Sequence, residues 1–293
     1  MKNLSSIGKT LKKIRVNKGI SPSELVRTQG LSPSTLSHVE TGNRIPTLEN
    51  LLKILDGIDI SFREILYITE GYQLTKKEKI IKNFRSINQS TEYEKMMHIK
   101  HEIKQYLHEH PAENFLQHLF TLISIYEQIQ REQTFNLVNE EAELLVKKLM
   151  DRKEWTYFDM YLVSKLFMFF PKKHENALIQ KVIDTCYKYN DLDNTERLLS
   201  SFLLNCAHYF FENKAYDKAD KLLTEAEFYS LTHTQYDIYY SVRFITAASN
   251  YIRFPKRKKE SEEEINYIIQ HMRYIQNTAL ANAMENDFLK YKD

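Results

Sequence analysis

The chain has 293 residues, 42% of them apolar, and its 41 Lys and Arg nearly balance 39 Asp and Glu for a formal net charge of +2. That length holds two domains and that apolar share buries a substantial core, while the strongly basic total that announces a nucleic-acid binder is absent. No stretch approaches the ~20 apolar residues that span a bilayer, and the start, MKNLSSIGKTLKKIR, lacks a signal peptide's apolar run, so a cytoplasmic location is expected. Cys186 and Cys206 fit neither a zinc frame nor a disulfide scaffold. No metal and no cofactor are expected. Six glycines and six prolines are few for this length, and no alternating run suggests a strand. The composition predicts an all-α chain.

Four glycines (Gly8, Gly19, Gly30, Gly42) fall before residue 43, so the chain opens with short helices and tight turns. A first helix is predicted over 6–17, with Ile7, Leu11 and Ile14 inward and Gly19 as its stop. Ser21-Pro22-Ser23-Glu24 is a capping box that opens a second helix, which ends at Gly30. Ser32 and Pro33 open a third, pinned by Leu36 and Val39 and closed by Gly42. Thr47 opens a fourth, with Leu48, Leu51, Leu52 and Leu55 expected on one buried stripe. Ser61 and Glu64 read as another capping box, starting a fifth helix through Ile65 and Leu66.

The stretch SPSELVRTQGLSPSTLSHVETGNRIPTLENLLKIL resembles the helix-turn-helix domains of the lambda-repressor and Cro type, over roughly residues 5–68. One departure is Pro22, where that family usually has a phosphate-binding Gln. The resemblance implies that the third helix enters the major groove with Pro33, Ser34, Thr35, Ser37 and His38 toward the bases. Hydroxyls serve several bases and a ring or methyl meets the thymine methyl, but this face lacks Arg, Asn or Gln for bidentate readout. Lys18, Asn43 and Arg44 then fall near turns that approach phosphates. In the same family an Arg and a Glu at the places of Arg15 and Glu40 form a partly buried ion pair.

After a linker at 69–75, residues 76–293 keep helical spacing throughout. Breaks near Ser90, Pro111, Thr134, Arg152, Pro171, Asn190, Lys214, Thr232 and Pro255 divide them into about ten helices. Leu203, Ala207, Phe210, Ala219 and Ala226 reproduce the small and aromatic spacing of a tetratricopeptide repeat. A degenerate α-solenoid of paired antiparallel helices is therefore expected. In that register the groove-facing positions lie near Leu204, Asn205, His208, Phe211 and Glu212, followed by Tyr240, Arg243, Ala247 and Asn250 on the next inner helix. Asn suits an extended peptide backbone, and Arg152 and Arg243 suit a carboxylate.

Taken whole, a Cro-like domain followed by a degenerate tetratricopeptide domain resembles the Rgg-type regulators, in the PlcR and PrgX group of peptide-pheromone receptors. The segments MDRKEWTYFDMYLVSKLF and LLSSFLLNCAHYFFENKAYDKADKLL carry the likeness in the second domain. The resemblance implies a homodimer on an inverted repeat of double-stranded DNA, switched by a short signalling peptide in the solenoid groove. RNA polymerase is a further candidate partner. The helices of 265–289, through Ile265, Ile268, Ile269, Met272 and Ile275, are the expected dimer surface.

Two other readings stand beside it: a solenoid adaptor that docks on a regulatory enzyme, and a phage-type repressor without a small ligand. Catalysis is not expected. His98, His101, His108 and His110 crowd one region without a metal-ligand frame, and no glycine-rich phosphate loop is present. The basic run 256–259 precedes Glu260, Glu262, Glu263 and Glu264, as at a solvated helix start.

Overall fold

A computed structural model of the chain describes residues 4–87 and 93–292. All their α-helices lie in two compact units that divide between Asn83 and Phe84. The first unit holds α1 (Leu4–Asn17), α2 (Pro22–Gln29), α3 (Pro33–Glu40), α4 (Leu48–Gly57) and α5 (Phe62–Thr69). The division falls within α6 (Lys76–Arg85), so residues 76–83 group with the first unit. The break expected near Ser90 lies outside the described residues.

Local chemistry explains where the short helices begin and end. The Ser21 hydroxyl accepts from the Glu24 amide at 3.1 Å, and the Glu24 carboxylate accepts from the Ser21 amide at 3.4 Å. Gly30 ends α2 in the left-handed region, with φ +62°, a conformation a side chain strains. Thr47 caps α4 through the Asn50 amide. Ser61 caps α5 in the same way, but the Glu64 carboxylate makes no return bond, so the second box is half formed.

Leu11, Leu25, Leu36, Val39, Ile54, Ile58 and Ile65 form the centre of this unit's core. The stripe expected on α4 is corrected here: Leu48 and Leu52 are 68% and 51% exposed, while Ile54 is buried. The positions Leu51, Ile54, Leu55 and Ile58 share helical spacing too, and the core lies on their side. Helix α1 packs on α3 and α5. It approaches α3 so closely that a Cβ on Gly8 would stand 1.8 Å from the Val39 carbonyl oxygen.

The second unit continues with α7 (Tyr93–Glu109), α8 (Asn114–Glu132), α9 (Glu140–Met150), α10 (Tyr157–Ser164) and α11 (Glu175–Tyr189). Then follow α12 (Glu196–Glu212), α13 (Tyr216–Thr232), α14 (Tyr236–Arg253), α15 (Lys258–Tyr274) and α16 (Thr278–Lys292). Each of α8, α10, α12 and α14 pairs with the helix after it, and α8, α10, α12, α14 and α16 touch in succession. That is solenoid stacking. Leu203, Ala207, Ala219 and Ala226 are fully buried where α12 meets α13, and Phe210 is nearly so, as the repeat spacing predicts. No helix of the described residues is long and apolar enough to cross a membrane.

The expected dimer surface is corrected by burial. Ile265, Ile268, Ile269 and Met272 lie within this chain's own core, where α15 packs on α14 and α16; only Ile275 is exposed. An apolar stripe marks burial without saying which chain provides it.

Candidate nucleic-acid interface and ligand cavity

Helix α3 presents a polar rim on a buried footing. The Ser32 hydroxyl accepts from the Thr35 amide at 3.0 Å and shares a 2.7 Å hydrogen bond with the Thr35 hydroxyl. Pro33 occupies the first turn, where a missing amide costs nothing. Leu36 and Val39 hold the inner side, so Pro33, Ser34, Ser37 and His38 are left exposed. Thr35 is half-buried and part of its hydroxyl is engaged in the cap, which weakens it as a reader of bases.

The turn after α3 is held by the Arg44 amide donating to the His38 carbonyl at 3.1 Å. The side chains of Asn43 and Arg44 are exposed and make no bond among the described residues. Lys18 is differently placed. Its ammonium donates to the Asp59 carbonyl at 2.8 Å and lies 4.0 Å from the Asp59 carboxylate, so it staples the turn before α5.

Arg15 and Glu40 meet as expected, through Nε to Oε1 at 2.6 Å and Nη2 to Oε2 at 2.8 Å. The Glu40 hydrogen bonds hold the guanidinium more firmly protonated than an isolated one, against the opposing effect of burial. Since Glu40 is the last residue of α3, the pair fixes that helix's end against α1.

The seven residues expected to hold a peptide are scattered through the second unit. Arg152 forms an ion pair with Asp159, whose other oxygen accepts from the Thr156 amide and hydroxyl at the start of α10. Arg243 donates to the Tyr239 hydroxyl at 2.9 Å and to the Glu264 carboxylate on α15. The Tyr240 ring lies 4.6 Å from that of His271, also from α15, tilted by 40°. Phe211 is only 3% exposed and sits beneath Tyr291, so its ring lines no open groove. Asn205 and Asn250 are half-buried, and their side-chain amides make no bond among the described residues. His208 packs edge-on to Phe135 at 5.5 Å, its Nε2 3.5 Å from Glu212.

Sequence reasoning did not find the cavity that lies beside His208. It measures about 400 Å³ and is walled by the end of α8 and its following turn, the last turn of α12, and α16. Gln130, Gln133 and Phe135 face it from the first wall and Glu212 from the second. Ala279, Asn282, Ala283, Asn286, Asp287 and Lys290 line it from α16 at successive three- and four-residue steps. Small Ala side chains let a ligand backbone come close. The Asn282 and Asn286 side-chain amides, one turn apart, make no bond among the described residues. Lys290 closes the rim, donating to Asp287 at 3.0 Å and to Gln133 at 3.4 Å.

The cavity's charges are tuned by their surroundings. Burial, then repulsion from Asp287, raises the Glu212 carboxyl above its usual value, against Lys290 and the Phe135 amide. Burial lowers the His208 imidazole, with Asp287 opposing and Lys290 assisting. Both shifts favour neutral groups in the pocket. A site of this size, with apolar patches and a few convergent amides, suits a short peptide or a small polar ligand. The one signal in the sequence was the Ala and Asn stripe of α16, where a core helix carries Leu or Ile. Among the described residues, no group of three or more His, Cys, Asp or Glu is placed to hold a metal ion.

Comparison with known proteins gives the setting. Residues 100–286 match the family described as HTH-type transcriptional regulator Rgg, C-terminal domain, and residues 11–65 match the helix-turn-helix family. No curated protein matches the chain by sequence. Among solved structures, a protein from Listeria monocytogenes EGD-e aligns with TM-score 0.70 and 17% identity, covering 98% of this chain and 97% of that one. ComR from S. thermophilus, solved with DNA and its signalling peptide ComS, aligns with TM-score 0.64 and 15% identity over 98% and 100%. PlcR from Bacillus thuringiensis, solved with the peptide PapR7 and DNA, aligns with TM-score 0.62 and 16% identity over 96% and 99%. At these identities the likeness is one of fold.

Proposed function

The chain belongs to the Rgg family of HTH-type transcriptional regulators, and from that membership we propose that it binds an inverted DNA repeat as a homodimer under the control of a short signalling peptide. The observation that carries the peptide half is the cavity between α8, α12 and α16, with its two unbonded amides on α16. Two solved structures of similar fold hold a peptide and DNA together, which supports the same pairing here.

On the DNA side, Ser34, Ser37 and His38 would meet base edges while Pro33 packs on a thymine methyl, and Asn43 and Arg44 would hold the flanking phosphates. Thr35 serves chiefly as part of the cap, and Lys18 chiefly as a staple. With no bidentate reader on α3, sequence discrimination is modest and DNA shape contributes. Two α3 helices would stand ~34–36 Å apart on successive turns of the duplex.

On the peptide side, Asn282 and Asn286 would pair with backbone amides, with Gln130 and Gln133 opposite. Asn205 and His208 extend the same inner face. Arg152, Tyr240, Arg243 and Asn250 would act as structural posts or as outer contacts of a longer peptide. Peptide binding switches the protein only through different affinities for DNA-competent and incompetent arrangements.

Selection of duplexes from a random pool by the full chain, with and without a pool of synthetic eight-residue peptides, tests both halves. A recoverable palindromic site whose occupancy changes with an enriched peptide is the expected result. An adaptor selects no site at all, and a phage-type repressor selects one that no peptide affects.

A further inference from the structure

The first unit separates its charges. Between Leu4 and Arg44 the only carboxylates are Glu24 and Glu40, and Glu40 is taken by Arg15. The acids gather later, as Glu49, Asp56, Asp59, Glu64 and Glu70 on and around α4 and α5. Helix α1 carries Lys9, Lys12 and Lys13, all exposed and none with an ion pair or hydrogen bond among the described residues. Like charges three and four residues apart on a helix repel, and no carboxylate among the described residues pairs with them. The near-zero total charge conceals this local excess.

Gly8 sets which of these lysines can act with α3. Its missing Cβ would meet the Val39 carbonyl oxygen at 1.8 Å and the Gly42 amide nitrogen at 3.6 Å. That flank of α1 is therefore flush with the last turn of α3 and the turn that carries Asn43 and Arg44. Seven residues on, Arg15 reaches Glu40 from the same flank. Lys12, four residues past Gly8 and about 40° round the helix from it, lies at this edge. Lys9 and Lys13, about 100° and about 140° round from Gly8, share the outer face one turn apart, away from α3.

We infer that Lys12 extends the DNA footprint of α3, binding a backbone phosphate beside those held by Arg44, and that Lys9 and Lys13 take no part. This inference rests on the DNA-binding reading above. Such contacts carry no sequence information, so they raise affinity and salt dependence without changing which site is chosen. They also account for a recognition helix free of Arg and Lys on a domain that must still hold a polyanion.

The test uses the full chain, the duplex it selects and an unrelated duplex of equal length, with binding measured by fluorescence anisotropy across a KCl series. The variants are Lys12→Gln, Lys12→Arg, and Lys9→Gln with Lys13→Gln. Gln resembles Lys in helix propensity, so α1 is retained, and a urea melt of each variant checks this. Lys12→Gln is expected to reduce the slope of log K against log salt by about 0.9 per protomer. It weakens both duplexes by the same factor, Lys12→Arg restores the slope, and Lys9→Gln with Lys13→Gln leaves it unchanged. An unaltered slope in Lys12→Gln overturns the inference, as does an equal loss of slope from Lys9→Gln with Lys13→Gln. If the unsubstituted chain selects no duplex, the inference fails together with the reading beneath it.

Discussion

Arg15 and Glu40, 25 residues apart in the chain, face each other across the α1–α3 contact as a two-pronged pair, at 2.6 and 2.8 Å. The third guanidinium nitrogen donates to the Ile20 carbonyl at 2.7 Å, so each of the three nitrogens is engaged. Both residues are buried, at 4% and 6% exposure. A buried pair adds little net stability, yet removing one partner strands a charge without water. Arg15→Met is therefore expected to cost about 3–5 kcal/mol, with Arg15→Met plus Glu40→Leu recovering most of it. Urea melts of the four chains complete the cycle, and additive single losses would remove the pair from this account.

Gly8→Ala is expected to destabilise the first unit by about 1–3 kcal/mol, through a Cβ driven into the Val39 carbonyl. The displaced end of α3 should also weaken DNA binding at protein concentrations where the unit remains folded. The urea midpoint and an anisotropy titration of the selected duplex report the two effects separately.

Substitutions on α3 and on the turn after it should differ in kind. Ser34→Ala with Ser37→Ala removes hydroxyls from the exposed rim, and about 0.5–1.5 kcal/mol per lost hydrogen bond is expected on the selected duplex alone. Arg44→Ala should weaken selected and unrelated duplexes alike. Competition between the two duplexes distinguishes these outcomes directly.

Filling the cavity should block the ligand and spare the fold. Ala283→Leu places three extra carbons against the α8 wall, and Asn286→Leu removes one of the two unbonded amides. Either is expected to weaken an enriched peptide at least about tenfold, which is ~1.4 kcal/mol. DNA affinity without peptide stays constant. Calorimetric titration of each variant with that peptide is the measurement; unchanged affinity in both would move the site elsewhere.

The second unit should lose stability in mild acid. Burial, then the positive charges of Arg152 and Lys148, lowers the His118 imidazole below its ordinary 6.5, against the opposing pull of Asp159. The folded chain thus binds this proton less readily than the unfolded chain. The stability is fully present above pH 6.5 and is lost as pH falls from there toward the depressed value. Urea midpoints between pH 7.5 and 5.5 are expected to decline, and His118→Gln should flatten that decline.

Much of this architecture was legible before any coordinates. Caps at Ser21, Ser32 and Thr47 bond to amides three residues on, so their chemistry is written within one turn of the chain. The small and aromatic positions Ala207, Phe210, Ala219 and Ala226 likewise record how closely two successive helices must approach. These local rules determined the all-helical fold, the order of its helices and the exposed polar rim of α3.

Tertiary packing decided what such rules cannot express. Periodicity ran equally well through Leu48 and Leu52 as through Ile54, and only the position of the core left the first two in solvent. It marked Ile265 to Met272 for burial, and the neighbouring helices of the same chain supplied the cover. Tyr291 seals Phe211 from a distant part of the sequence. The cavity itself depends on Gln133 and Lys290, 157 residues apart, being brought within 3.4 Å. A cavity is the space left between helices that pack at long range, and no single helix encodes it.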